Sequence, residues 1–192
     1  MKTLARCSFP VATMFALVLA AVPGIASAQG MSMPMQSGPG KAMPSPPAKA
    51  ETTLAGKPIT ISYNSPSMRG RKIMGGLVPY GEPWRTGANP ATTLVTPVDL
   101  MIGTLLVPAG TYTLFTLPKS DAPWELIVSK KTGEWGIPYP EGNDLGRTPM
   151  TVGSLPAPQE AMSISFEHTA GNKTVLHVKW ETTDVSVPVV AK

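Results

Sequence analysis

The sequence predicts an all-β protein, an antiparallel β-sandwich of about nine strands, jelly-roll-like or partly closed into a barrel, with a long Gly-rich loop packed over it. Three observations carry that expectation. The 192 residues include 22 prolines, and a proline inside a helix costs about 3 kcal/mol, so a helical bundle is excluded. Short apolar runs alternate with polar residues at period two, and no segment shows a helical period. Hydrophobic residues make up 42% of the chain, enough for one core and too many for a disordered protein.

Residues 1–28 read as a secretory signal peptide. Lys2 and Arg6 open it, residues 11–22 form an apolar run, and Ala26-Ser27-Ala28 gives a small-x-small cleavage site. The run is shorter than the roughly 20 residues of a membrane span, so no span remains after cleavage behind Ala28. Cys7 precedes the run and cannot be the lipid-bearing cysteine of a lipoprotein. With the leader removed, the chain has no thiol, no disulfide and no Cys-ligated metal. The expected location is the periplasm or the exterior. Loss of Lys2 and Arg6 lowers the formal net charge of +4 by two, too little for the dense basic patch that nucleic acid requires.

Residues 29–50 are rich in proline, glycine and serine and lack aromatic residues, so they read as a disordered tether that cannot bury enough surface to fold. Met31, Met33, Met35 and Met43 lie in it. Thioethers are soft ligands suited to Cu(I), so a copper site here is one expectation, and a low-complexity linker is the other. No other cofactor is implied.

The domain is expected over residues 51–192. In residues 58–63, Ile59, Ile61 and Tyr63 share a face; residues 92–96 and 98–102 are β-rich runs broken at Pro97. Residues 105–107 lead through Pro108-Ala109-Gly110 into 111–117, where Tyr112 and Leu114 oppose Thr113 and Phe115. Further runs follow at 124–129, 148–152 and 161–167. In residues 174–180, Leu176, Val178 and Trp180 oppose Val175, His177 and Lys179, and Val185, Val187 and Val189 close the domain. Pro188 suggests that this last strand is an edge.

Residues 66–90 depart from the strand pattern. They hold five glycines, the cations Arg69, Arg71, Lys72 and Arg85, and one acid, Glu82. Ile73, Leu77, Val78, Tyr80 and Trp84 make the segment too apolar for disorder, and long loops in compact domains are commonly functional. Two roles are open. In a ligand site, Arg71 and Arg85 offer planar forks for a carboxylate, phosphate or sulfate, Tyr80 and Trp84 offer aromatic faces, and Asn89 an amide. Trp135, on a loop, would line a groove with Trp84 and give a platform for a sugar-like face. In a structural plug, the arginines stack on aromatic rings and bond loop carbonyls.

Signs of catalysis are few, which leans against an enzyme. His168 and His177 lack partners at motif spacing, and no nucleophile elbow, H-E-x-x-H or phosphate loop occurs. The loop acids Glu82, Glu134, Glu141 and Asp144 leave a carboxylate-pair hydrolase as an alternative. Asp144 is expected to pair with Arg147. The leading expectation is a non-catalytic binding module for a small anionic or carbohydrate-like ligand.

The run Gly70-Arg71-Lys72-Ile73-Met74-Gly75-Gly76-Leu77-Val78-Pro79-Tyr80-Gly81-Glu82-Pro83-Trp84-Arg85-Thr86-Gly87-Ala88-Asn89 resembles the signature of a bacterial family, the domain of unknown function 2911 (DUF2911). Pro108-Ala109-Gly110-Thr111-Tyr112-Thr113-Leu114, Trp124, Trp135-Gly136, Arg147 and Trp180-Glu181 extend the likeness over about residues 58–189. The resemblance implies export and no particular activity. Amidotransferase labels carried by some members need an N-terminal cysteine nucleophile, which the chain cleaved after Ala28 lacks. Members often place Glu after the Gly-Ala-Asn triplet, where Pro90 stands here.

Overall fold

A computed structural model describes residues 45–192. The expected leader and residues 29–44 of the tether, with Met31, Met33, Met35 and Met43, lie outside the described residues. The described chain is all-β and forms nine strands: β1 Pro47–Leu54, β2 Lys57–Asn64, β3 Thr92–Thr96, β4 Leu100–Ile102, β5 Leu105–Val107, β6 Gly110–Leu117, β7 Trp124–Ser129, β8 Asp144–Ala170 and β9 Lys173–Ala191. They make one antiparallel sheet in the order β1-β2-β3-β6-β7-β8-β9-β4-β5, not closed into a barrel. The sheet folds over itself in sandwich fashion, so that Leu54 of β1, Ile61 of β2, Leu126 of β7, Trp180 and Val187 of β9 and Ile102 of β4 share one core.

The turn of the sheet is made by its two longest strands. Asp144–Met150 of β8 pair with β7, and Thr151–Ala170 pair with β9. Between Ser154 and Gln159 the β8 register advances five residues while β9 moves only from Thr183 to Glu181. Pro156 and Pro158 fall in that bulge, where their missing N–H groups cost no ladder bond. On β9 the buried residues are Thr174, Leu176, Val178 and Trp180 before Glu181, and Val185, Val187, Val189 and Ala191 after it. The inward phase thus switches from even to odd positions. Glu181, at φ +56°, absorbs the switch.

Two expectations need correction. The domain begins before residue 51, because residues 47–50, read as tether, are the first half of β1 and pair with β2 from Pro47 opposite Asn64 to Leu54 opposite Lys57. Inward positions of β1 are Ala48, Ala50, Thr52 and Leu54, small enough to hide a strand period. Nor is β9 an edge: it lies between β8 and β4. Its ladder with β8 ends at Ser186 and its ladder with β4 begins at Val189, so Pro188 occupies the handover and only its carbonyl is used, by the Gly103 N–H at 2.8 Å. The runs 148–152 and 161–167 are likewise one strand, as are 174–180 and the closing valines.

Both faces of β6 are covered. Tyr112 and Leu114 enter the main core, while Phe115 on the other face packs with Ala91 and Ile127. Tyr139, from the loop between β7 and β8, closes over this second cluster with its ring edge-on to Phe115 at 5.0 Å.

The turn from β4 to β5 tests how tightly this architecture is set. Gly103 has φ +57°, and a Cβ there would stand 2.2 Å from Thr148 Oγ1 and 3.1 Å from Val187. Gly103→Ala is expected to lower unfolding free energy by about 3 kcal/mol, from the left-handed backbone and the clash together. Gly133→Ala, equally left-handed but with open space around it, should cost only about 1 kcal/mol. Urea unfolding of the two variants measures the difference.

Candidate functional site

The loop joining β2 to β3 is ordered by the sheet beneath it. Ser65 Oγ donates to the Met162 carbonyl at 2.6 Å, and the Met68 N–H to the Glu160 carbonyl at 2.8 Å. Arg69 and Gly70 both take left-handed conformations and reverse the chain. The Ile73 and Met74 N–H groups each donate to the Glu181 carboxylate at 3.2 Å. Farther on, Trp84 exchanges backbone hydrogen bonds with Thr116 of β6 at 2.7 and 2.8 Å. Its indole stacks on that of Trp180, centroids 5.8 Å apart and planes 23° apart. Both indole N–H groups are taken by carbonyls, Trp84 by Gly87 and Trp180 by Glu160. The pair therefore offers ring surface and no donors.

Above Trp84 opens a cleft of about 350 Å³. Its apolar wall is Pro66, Leu77, Val78, Trp84 and Ile137, with Trp180 buried behind Trp84, and Arg69, Arg71 and Arg85 supply its charge. No Asp, Glu or His lines it. Arg71 donates through Nε to the Met68 carbonyl at 2.9 Å and through Nη2 to that of Ser67 at 2.8 Å. Arg85 donates through Nη1 to the Trp135 carbonyl at 3.2 Å, and its guanidinium lies 5.6 Å from the centre of the Trp135 ring. Among the described residues neither arginine forms an ion pair. Partial burial holds the Arg85 guanidinium below the ordinary arginine value, as expected of a cation with neutral acceptors only.

Of the six expected ligand-binding residues, the structure brings Arg71, Trp84 and Arg85 to one cleft. Trp135 supports Arg85 from outside it. Tyr80 lines a separate shallow hollow with Lys119 and Asp121. Asn89 does not line the cleft; its Nδ2 donates to the Ser45 carbonyl at 3.1 Å and so ties down the start of the described chain. Arg69 and Ile137 were not among the expected site residues. Arg69 is charged and adjacent to Gly70, a readable signal, whereas nothing local marks Ile137.

The acids lie elsewhere. Asp144 accepts from Arg147 Nε and Nη2, both at 2.9 Å, which is the expected pair, and also from the Tyr139 hydroxyl. Glu134 lies 3.5 Å from Lys131, and Glu82 and Glu141 are exposed. His177 Nδ1 is 2.8 Å from Asp184 and its Nε2 3.8 Å from Glu167, which also pairs with Lys179. None of these groups lines the cleft. Among the described residues no group of three or more His, Cys, Asp or Glu is placed to hold a metal, and no helix is long and apolar enough to cross a membrane.

The family described as protein of unknown function (DUF2911) matches residues 45–189. The chain belongs to that family. No curated protein and no solved structure matches it. The match to DUF2911 begins at Ser45, whose carbonyl Asn89 holds, and so includes all of β1 and every residue lining the cleft.

Two outcomes follow from this anchoring. Glu181→Ala strands the Ile73 and Met74 N–H groups and is expected to cost about 2 kcal/mol. Hydrogen exchange should accelerate at those two amides while the β6–β7 ladder stays protected. The second concerns Tyr139. Burial, and then its bond to Asp144, push its phenol up to about 12. A folded-state value above the ordinary one favours the neutral phenol in the fold, so its contribution is complete below about pH 10 and is lost as pH rises toward 12. Denaturation of wild type and Tyr139→Phe across that window should show a shallower alkaline decline in the variant.

Proposed function

We propose that this DUF2911 protein is an exported, non-catalytic binding module whose cleft takes a small anion carrying an apolar face. The observation that carries the reading is a set of guanidinium groups around an indole floor with no carboxylate among the lining residues. Arg71 and Arg85 keep N–H groups beyond those given to carbonyls, and among the described residues no acid pairs with either. A carboxylate, phosphate or sulfate would supply the missing charge through short, charge-assisted hydrogen bonds. The ring of Trp84 and the side chains of Leu77, Val78 and Ile137 suit the remainder of such a ligand. A flat sugar face is less well served, because Arg85 already covers one side of Trp135. The signal-peptide pattern supports a periplasmic or extracellular setting.

Tryptophan fluorescence with benzoate, inorganic phosphate, sulfate and a uronic acid tests the reading. Wild type should respond saturably to at least one of them. Arg85→Gln and Arg71→Ala should each weaken that binding about tenfold or more, as loss of a charge-assisted bond implies, with thermal melting of Arg85→Gln close to wild type. Absence of any saturable response, or variants that bind as wild type does, would overturn the proposal. Unfolding of both variants would assign the arginines to architecture.

A further inference from the structure

The rim of the cleft is apolar as well as cationic. Leu77 is 48%, Trp135 56% and Ile137 67% exposed. Scattered exposed hydrophobic residues are ordinary, but these are gathered: Leu77 and Ile137 both line the cleft, and Trp135 carries the Arg85 guanidinium. They come from two loops fixed from below, one by Glu181 and Thr116, the other through Arg85 and the packing of Tyr139. Arg69, Arg71 and Arg85 line the cleft, and the Lys72 carbonyl accepts the Leu77 N–H. Against these cations stand Glu82, the only acid between residues 66 and 90, and Glu160, whose carboxylate accepts the Arg69 backbone N–H at 2.9 Å. Lys130 precedes Trp135, while Lys131 and Glu134 pair with each other and add no net charge.

We propose that this rim docks on an anionic lipid surface, with Leu77, Trp135 and Ile137 entering the headgroup layer and the cleft receiving a lipid phosphate. The proposal rests on the cleft being an anion site. Charge complementarity selects the occupant. Each basic side chain close to an anionic leaflet favours binding by about fivefold. Tryptophan prefers the interfacial layer, and leucine and isoleucine gain by entering the acyl boundary. A stable protein partner would bury roughly 800 Å² of this chain over a well-packed centre, whereas here the apolar groups ring an open, positively charged hollow. A lipid phosphate entering it keeps its acyl chains on the side where the exposed groups lie.

The test uses the chain lacking residues 1–28, with vesicles of phosphatidylcholine alone or mixed with phosphatidylglycerol, and soluble glycerol phosphate as the second arm. Wild type should sediment with the mixed vesicles and not with phosphatidylcholine, and should be released by salt. Leu77→Ser with Ile137→Ser should weaken vesicle binding at least about tenfold, clearly more than it weakens glycerol phosphate binding. Arg85→Gln should weaken both. If glycerol phosphate binds and neither vesicle does, the lipid proposal falls, the cleft reading stands and the apolar rim is left to a protein partner. Equal losses on vesicles and glycerol phosphate in the double variant would also overturn the lipid proposal. If neither probe binds, the phosphate-receiving cleft falls with it.

Discussion

Glu181 is the residue on which the geometry of this domain turns. At its left-handed backbone the inward face of β9 changes from even to odd positions, which lets one strand serve both arms of the folded sheet. Its carboxylate accepts the N–H groups of Ile73 and Met74, donors that would otherwise be left without partners in a part-buried loop. One position therefore couples the bend of the sheet to the shape of the loop above it. Its neighbour Trp180 supplies the ring against which Trp84 stacks. The support beneath the cleft's indole floor and the anchor of its wall are adjacent residues of one strand.

The sequence leaves two roles open for the loop, ligand site and structural plug. Physically they do not exclude each other. Arg71 and Arg85 do bond loop carbonyls, as a plug requires, and these bonds hold the side chains in place. Neutral carbonyls satisfy N–H groups without cancelling charge. The outcome is two guanidinium groups held in place, that of Arg85 partly desolvated, with no carboxylate among the residues that line the cleft. Preorganised charge of this kind lowers the ordering cost of binding an anion, so the architectural bonds favour the proposed function.

Most strands could be read from period-two alternation: β3, β5 and β7 have the expected bounds, and the opposed faces of β6 and β9 are as the pattern predicts. β1 escaped because two of its four inward residues are alanine, which gives almost no hydropathy contrast. The long β8 reads in sequence as two runs on either side of Pro156 and Pro158, since the bulge that accommodates these prolines depends on the partner strand. In the site, chemistry could be read and proximity could not. Arg71, Trp84 and Arg85 lie near one another in sequence and meet. Tyr80 and Asn89 are equally near in sequence but are turned away, one to the Lys119 hollow and one to Ser45. Ile137 arrives from a loop about fifty residues on, along a path set by tertiary packing.

Arg85 links the two loops that form the cleft. It starts in the first, and its Nη1 and guanidinium face rest on the carbonyl and ring of Trp135 in the second. Gly136 permits this approach: at φ +81°, a Cβ there would fall 2.9 Å from Ala91 and 3.1 Å from the Arg85 Cβ. The tight junction sits beside Phe115, in the cluster that Tyr139 closes. An anion taken by the N–H groups that Arg85 does not give to Trp135 would leave this junction intact. The second loop would go on holding the guanidinium in place, and loss of the Trp135 contact would weaken the cleft by freeing the side chain.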